Sequence, residues 1–437
     1  MTSLADRLPS PDDNARPAAT GQKLSRFLLK DRVRLSASLM AGIAGPYWLD
    51  QGPAHAGLVD NQTPIGLAIA ISLGFLIHTR LARIRLPGDL TNITAAFLAS
   101  YTVIAALFLC LGLAFTGAEL ALSFLLATGV FAMFSQLGAR AGRPAYAYIP
   151  PANGNLLSQP GYADWIAVNT PDEALRLQDL PLVADLDGQQ LDRAWTDYIA
   201  EATVSGRGVF TQRQIAEALE GKVEIYNISE SQFSHALKET LYTKLKSSID
   251  RISALFVLVI LSPFLLALCA LIRIESHGPA IFRQSRVGRG GRTFTMYKFR
   301  SMTDAHALAP GAQRDMTLDQ DDRITRIGQF IRKTRIDELP QLINILRGEM
   351  SWIGPRPETE NLSALYEKQI PFYRFRHVVR PGITGWAQVN QGHVSSVTDA
   401  HDKLRYDFYY IKNFSIWLDI AICLHTPHVL LTGRGAR

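Results

Sequence analysis

At 437 residues, with 47% apolar and 19% charged residues, this chain is too apolar for an ordinary soluble enzyme and too charged to be only a bundle of membrane helices. Its length predicts about two to three structural units, and a formal net charge of +6 suits anionic lipid headgroups, phosphorylated substrates or nucleic acid. Cys110, Cys269 and Cys423 lie far apart in apolar runs, with no CxxC pair and no HExxH anywhere, which speaks against a zinc site and a disulfide framework.

Residues 1–30 open polar and rich in Pro, Ala and Asp, with no apolar core next to the N-terminus, so they read as a disordered cytoplasmic tail and not as a cleaved signal. Four apolar stretches follow, at roughly 35–49, 64–79, 91–115 and 118–138. The last two have the roughly 20 residues that crossing a bilayer takes; the first two are marginal, and a buried soluble helix is their plain alternative. Charge decides between the readings. Lys23, Arg26, Lys30, Arg32 and Arg34 precede the first stretch, and the connection from Asp50 to Thr63 has no Lys or Arg. The next connection carries Arg80, Arg83 and Arg85, the turn Thr116–Glu119 carries none, and Arg140 and Arg143 follow the last. This alternation predicts four transmembrane helices over 31–140 with both ends cytoplasmic.

Residues 141–240 change character. Short runs (AYAYIP, DWIAVN, LPLVADL, KVEIYNI) alternate with helix-like stretches such as LDRAWTDYIAEATVSG and TQRQIAEALEG. The pattern predicts a small cytoplasmic α/β domain. It holds neither GxGxxG nor GxxxxGK[ST], so a structural or regulatory role fits better than a phosphate cradle.

Ile252 to Ile274 is apolar and long enough to span. Two features argue for a re-entrant helix that enters one leaflet and returns. Ser262-Pro263 sits at its middle, where proline removes a backbone hydrogen bond and the serine hydroxyl can take the carbonyl so released. Both flanks are basic, Lys244, Lys246 and Arg251 before, Arg273, Arg283 and Arg286 after. A kinked spanning helix is the alternative.

The last third carries the chemistry. Gly288, Gly290 and Gly291 allow a tight turn between two strand-like runs and are a weak phosphate signal. Lys298 and Arg300 alternate with Tyr297 and Phe299, so on a strand both cations face one side, for a phosphate or simply for solvent. Asp321-Asp322-Arg323 follows, and then the acid pair Asp337-Glu338, preceded by Arg332, Lys333 and Arg335. Carboxylates among cations suit a site where a phosphate is held while a carboxylate attacks it or binds a metal; a helix start with acids in its first turn is the plainer reading. Arg356, between Pro355 and Pro357, is held on a stiff backbone suited to clamping a diphosphate or a base. RPGITGWAQVN and DKLRYDFYYIKNFSIWLDI add turns and aromatic-rich stretches that suit a membrane interface or a core.

From about residue 244 to 437 the chain resembles the bacterial sugar transferase family, the monotopic phosphoglycosyl transferases. The matching motifs are GPxxFxQxRxG (Gly278 to Gly288), KFRSM (298–302), DDRITRIG (321–328), DELPQLIN (337–344), GEMSWIGPRP (348–357) and PGITGWAQVN (381–390), all in one order. The architecture is similar to the larger members that start polysaccharide or O-antigen assembly. That resemblance implies a membrane α-helical bundle, a small α/β domain, and a helix-rich α/β monotopic catalytic domain over 241–437 with a re-entrant helix at 252–274 broken at Ser262 and Pro263. It also implies transfer of a sugar-1-phosphate, from a UDP-hexose such as UDP-glucose or UDP-galactose, to undecaprenyl phosphate with release of UMP. Asp337 would be the nucleophile that carries the phosphosugar, and Glu338 would bind Mg²⁺. Lys298, Arg300 and Arg332 would hold phosphates, and Pro355, Arg356 and Pro357 would shape the uridine end.

The implied location is the bacterial inner membrane, with the catalytic domain at the cytoplasmic face; the implied partners are the two substrates and membrane lipid, with a homodimer and without nucleic acid. One departure is Asn390-Gln391-Gly392-His393 where many members read Asn-Gly-Arg, a variant associated with exopolysaccharide-type members. The rival reading is a catalytically silent scaffold of a polysaccharide assembly complex. A transporter is weaker, because the four short spans hold no charged or Gly/Pro-broken core helix and a large cytoplasmic domain is expected; a topology map discriminates, since a transporter needs Ile252–Ile274 to cross.

Overall fold

The computed structural model describes residues 31–49, 62–81, 89–113, 116–139, 145–150, 164–185, 191–225, 241–303, 324–391 and 396–432, in two units divided between Leu219 and Glu220. The expected tail over 1–30, the loop cations Arg83, Arg85, Arg140 and Arg143, the run Asp321-Asp322-Arg323, and Gly392 with His393 lie outside the described residues.

In the first unit the apolar stretches form helices α1 (Asp31–Leu49), α2 (Gln62–Leu81), α3 (Asp89–Leu111) and α4 (Gly117–Ala139). They share a core that includes Ile71, Phe97, Tyr101, Phe108 and Phe131. Small residues let the helices approach: a Cβ on Gly66 would stand 2.3 Å from the Phe108 ring, and one on Gly45 would stand 2.2 Å from Leu126. Leu98, Val103, Leu109 and Leu125 face outward, as lipid-facing side chains do. Among the described residues the helices long and apolar enough to cross a membrane are Thr63–Leu81, Leu90–Leu111, Gly117–Leu137 and Leu241–Glu275. The set differs from the expected four. Helix α1 begins with Asp31, Arg32 and Arg34 and contains Pro46, which lowers its apolarity, while the segment anticipated as re-entrant takes the fourth place.

The small α/β portion is a parallel sheet in the order β2-β1-β3-β4, built from β1 (Ala145–Tyr148), β2 (Asp164–Ala167), β3 (Leu182–Ala184) and β4 (Val209–Thr211). Helices α5 (Pro171–Arg176), α6 (Arg193–Val204) and α7 (Gln212–Glu220) complete it, as parallel strands require crossovers. Three of the expected strands are present. The fourth, KVEIYNI, is not a strand where it is described: residues 222–225 are an irregular strap of the second unit, and Val209–Thr211 takes the edge position instead.

That strap packs on α12 (Trp386–Asn390) and α13 (Val397–Lys412). Val223 N–H donates to the Arg405 carbonyl at 3.1 Å, the Trp386 indole donates to the Gly221 carbonyl at 2.8 Å, and Lys222 meets Asp402 at 3.1 Å. Val223 and Ile225 are fully buried. A charge placed there has no partner, so Val223→Asp should cost about 3 kcal/mol or more and lower the apparent unfolding midpoint. Val204→Asp, at an exposed position in α6, should leave the midpoint unchanged.

The second unit is organised on helix α8 (Leu241–Glu275), which starts well before the expected segment. Ala254, Val257, Leu258, Leu261, Leu265, Leu268 and Ile272 recur at helical spacing and enter the core. The opposite face, with Ile252, Phe256, Val259, Leu266 and Ile274, is exposed. Pro263 has no N–H for the Val259 carbonyl, and Ser262 Oγ donates to that oxygen at 2.7 Å, the substitution anticipated from the sequence. Strands β5 (Ile281–Val287) and β6 (Thr293–Phe299) form an antiparallel hairpin running from the pair Ile281 and Phe299 to the pair Val287 and Thr293. Helices α9 (Arg326–Lys333), α10 (Leu342–Arg347) and α11 (Glu360–Gln369) follow, with a short parallel pair of β7 (Ser351–Ile353) and β8 (Gly382–Thr384), and α14 (Ile416–Thr432) ends the described chain.

Candidate active site

The acid pair sits on a 3-10 turn, Ile336–Gln341, that follows α9 directly. Arg335 enters the left-handed region with φ 58°, an uncommon conformation for a side chain of that size. The reversal carries both acids into the protein: Asp337 is 8% and Glu338 5% exposed. Asn344, in the same motif, locks the next helix to the hairpin. Its amide donates to the Thr295 carbonyl at 2.7 Å, and its oxygen accepts from Tyr297 N–H at 3.2 Å.

The two carboxylates have different surroundings. Arg356 donates to both oxygens of Glu338, at 2.8 and 3.2 Å, Arg335 lies 3.3 Å away and Lys298 Nζ 3.8 Å. Burial alone would push Glu338 up, but the charges of Arg356 and Lys298, the Arg356 hydrogen bonds and Arg335 outweigh it and hold the carboxyl far below its ordinary range. Lys298 is itself pushed down to about 8 by burial, against the pull of Glu338. Asp337 Oδ1 has no hydrogen-bond partner among the described residues. Burial and the neighbouring Glu338 raise its pKa, with Lys298, Arg335 and Arg356 opposing. Glu338 is charge-compensated where it sits, while Asp337 keeps one oxygen without a hydrogen-bond partner among the described residues.

The proline-flanked arginine owes its position to the backbone around it. Arg376 donates to the Arg356 carbonyl at 2.8 Å, Arg286 to the Pro357 carbonyl at 3.0 Å, and Gly382 N–H to the Pro355 carbonyl at 3.0 Å. A Cβ on Gly354 would stand 2.3 Å from the Arg380 carbonyl oxygen, so only glycine lets the loop close against β8. Behind it lies a buried network: Arg376 meets Asp407 at 2.9 Å and Glu358 at 3.8 Å, and Lys403 also pairs with Glu358.

The chemistry of this network gives an acid-sensitive unit. His377 is pushed down to about 3 by burial and by Arg376 and Arg374. Unfolded, it takes a proton near 6.5; folded, it does not until about 3, so stability falls as pH drops through that window. Burial pushes Glu358 up, but Lys403 and Arg376 outweigh it and hold it well below its unfolded 4.5, so its contribution is present above that value and also lost on acidification. His377 and Glu358 therefore each lower stability on acidification, and His377→Gln should flatten the pH dependence of the apparent unfolding midpoint just below pH 6.5 relative to wild type.

Of the residues singled out from sequence, Asp337, Glu338, Lys298, Pro355, Arg356 and Pro357 come together, and Arg332 stands in the last turn of α9, on the chain leading into the pair. Arg300 does not face them. It is 6% exposed and donates to the Ser276 carbonyl at 2.6 Å, to Ser276 Oγ at 2.9 Å and to the His277 carbonyl at 3.0 Å. A Cβ on Gly278 would stand 2.1 Å from its guanidinium, so the glycine of one motif makes room for the arginine of another. In this state Arg300 closes the end of α8 onto the hairpin. Sequence reasoning also missed Arg376, Glu358 and Asp407, whose partners lie too far along the chain for a local pattern.

Magnesium was expected at Glu338. Among the described residues no group of three His, Cys, Asp or Glu is placed to hold a metal, and both Glu338 oxygens accept from Arg356. The donor set fits only a cation that brings most of its oxygen ligands with a phosphorylated substrate, a common mode for Mg²⁺.

A family model described as bacterial sugar transferase matches residues 241–433. A UDP-N-acetylgalactosamine-undecaprenyl-phosphate N-acetylgalactosaminephosphotransferase of Aeromonas hydrophila is 42% identical over 301 residues, covering 69% of this chain and 70% of that protein. A UDP-glucose:undecaprenyl-phosphate glucose-1-phosphate transferase of Xanthomonas campestris pv. campestris is 41% identical over 227 residues, 51% of this chain and 45% of its own length. An exopolysaccharide production protein of Rhizobium leguminosarum bv. phaseoli is 43% identical over 198 residues, 44% of this chain and 98% of its own.

Proposed function

This chain belongs to the bacterial sugar transferase family, and we propose that it transfers a sugar-1-phosphate from a UDP-sugar to undecaprenyl phosphate, releasing UMP and starting a polysaccharide. The observation that carries the chemistry is the division of labour between adjacent acids, Glu338 tied to three cations and Asp337 with Oδ1 unpartnered among the described residues. Asp337 Oδ1 attacks the phosphorus bound to the sugar, and the bond to the UMP oxygen breaks with its electron pair leaving on UMP. The phosphate oxygen of undecaprenyl phosphate then attacks the same phosphorus and releases the Asp337 carboxylate. Lys298, Arg335 and Arg356 offset the charge that two anions bring together. Glu338 would hold Mg²⁺ jointly with the donor's phosphates, and the ion when bound would neutralise part of the diphosphate charge.

The membrane reading is part of the proposal. We infer that α8 lies in one leaflet at the cytoplasmic face of the inner membrane. Supporting this, the residues before and after Pro263 pack on one and the same unit, through Ala254 with Leu342 and Ile345 and through Leu268 and Ile272 with Phe299 and Ile331. A spanning helix would carry its second half away from that core. Single cysteines at Lys244 and at Glu275, in a variant without the native three, should both react with an impermeant thiol reagent from the cytoplasmic side only. Labelling of one site from each side would return the helix to a spanning role.

The donor is best sought first as UDP-N-acetylgalactosamine, since the relative named for that sugar is similar over 301 residues, well beyond the catalytic unit. UDP-glucose and UDP-galactose are the next candidates. UMP release by the purified chain with undecaprenyl phosphate and Mg²⁺, across that panel, tests the reading. Release with one donor names the sugar. Silence with every donor, from folded protein, would favour the scaffold. A homodimer is kept as a proposal, to be read from the mass of the purified chain in nanodiscs.

A further inference from the structure

A cleft of about 300 Å³ in the second unit is not lined by Asp337, Glu338, Lys298 or Arg356. Its walls come from the first three turns of α8, the glycine turn of the hairpin, and the segment before β8. Five cations line it: Lys244, Lys246, Arg251, Arg289 and Arg380. One carboxylate, that of Asp250, lines the cleft with them. Lys246 pairs with Asp419 at 2.6 Å, and Asp250, buried in the wall, accepts from Ser351 Oγ at 2.6 Å. Arg380 donates to Ser247 Oγ at 2.7 Å, which fixes its guanidinium at the rim. Lys244, Arg251 and Arg289 are exposed and make no ion pair among the described residues.

Arg289 belongs to the glycine turn that the sequence marked as a weak phosphate signal and that the acid pair does not use. The turn is open: a Cβ on Gly290 or Gly291 would have nothing within 4 Å. Next to the cleft, Leu241, Leu245, Ile249 and Ile252 recur at helical spacing and are all exposed, continuing into the apolar outer face of α8. A cationic cleft rich in hydroxyls therefore opens beside a face fit for acyl chains.

We propose that this cleft binds the phosphate of an anionic membrane phospholipid, as a site separate from the one that performs transfer. Arginines suit it because each guanidinium can donate two parallel hydrogen bonds to phosphate oxygens, and basic recesses at the membrane surface take lipid headgroups in this way. The proposal does not depend on the transferase reading, because it concerns binding alone.

The test uses the full chain in nanodiscs of phosphatidylglycerol and phosphatidylcholine, released into a native mass spectrometer. Wild type should retain phosphatidylglycerol, and Arg251→Gln and Arg289→Gln should each reduce the retained fraction about tenfold, the loss of one charge-assisted hydrogen bond. Arg193→Gln, at an exposed position in α6, should retain it as wild type does. A second arm titrates the detergent-purified chain with inorganic phosphate. Binding that weakens in the same two variants, without lipid retention, would assign the site to free phosphate and keep its chemistry. Equal retention by all variants together with no phosphate binding overturns the proposal. So does a loss of undecaprenyl phosphate binding in Arg251→Gln with phosphatidylglycerol retained, which would make the cleft part of the acceptor site.

Discussion

Asp337→Asn should reduce UMP release by at least about a thousandfold while leaving the chain as stable as wild type or more so. The two effects have one cause. Asp337 is buried with Oδ1 unpartnered among the described residues, and Glu338 stands beside it. Its raised pKa means that the folded state holds the proton more tightly than the unfolded state does, so at neutral pH the ionised side chain works against folding. An amide of the same shape removes that charge and removes the nucleophile with it. The measurement is a pair: turnover with the best UDP-sugar, and the apparent unfolding midpoint at pH 7 in magnesium-free buffer. Turnover within tenfold of wild type would sink the covalent mechanism. A midpoint several degrees lower would mean that the carboxylate is a structural anion, and the assignment of roles within the pair would have to be reversed.

How much of this was legible in the sequence depends on how local the physics is. The acid pair, Arg335 beside it and the stiff Pro-Arg-Pro each fit within a few residues, and the structure brings Arg335 and Arg356 onto Glu338. The role of Ser262 was legible for the same reason, because the carbonyl that Pro263 leaves without a donor, that of Val259, lies one turn from the hydroxyl that takes it up, while the helix runs on from Leu241 to Glu275. Arg300 shows the limit. Strand alternation would put it on the face of Lys298, but the strand ends at Phe299, and the guanidinium turns back to the end of α8, where Gly278 leaves room. Periodicity cannot see that a carbonyl cluster from another element waits there.

The strap is a similar case. KVEIYNI has the alternation of a strand, yet Val223 is buried by α13, whose sequence lies far downstream, and no rule of period connects the two. The network of Arg376, Asp407, Glu358 and Lys403 behind Arg356 was invisible for that reason too. Its members come from three separate segments, the loop at Glu358, the turn at Arg376 and helix α13.

Glu338→Gln, one residue from the first substitution and equally conservative in shape, should have the opposite effect on stability. Removing this anion leaves Lys298, Arg335 and Arg356 converging on a neutral amide, with side chains only 17%, 33% and 28% exposed. Breaking a buried ion pair on one side costs about 3 kcal/mol, somewhat less here because Arg335 and Arg356 can turn toward solvent. The apparent midpoint should fall by several degrees, and turnover should fall by at least about a hundredfold as Arg356 loses its bidentate partner. A distinctive consequence follows from the charge left behind. Inorganic diphosphate, offered without metal, should raise the midpoint of Glu338→Gln more than that of wild type, because in the variant the anion meets three uncompensated cations and in wild type it competes with a resident carboxylate. Equal shifts in the two proteins would mean that the cations do not face the phosphate site, and the electrostatic account of the pair would fail even if Asp337 were the nucleophile.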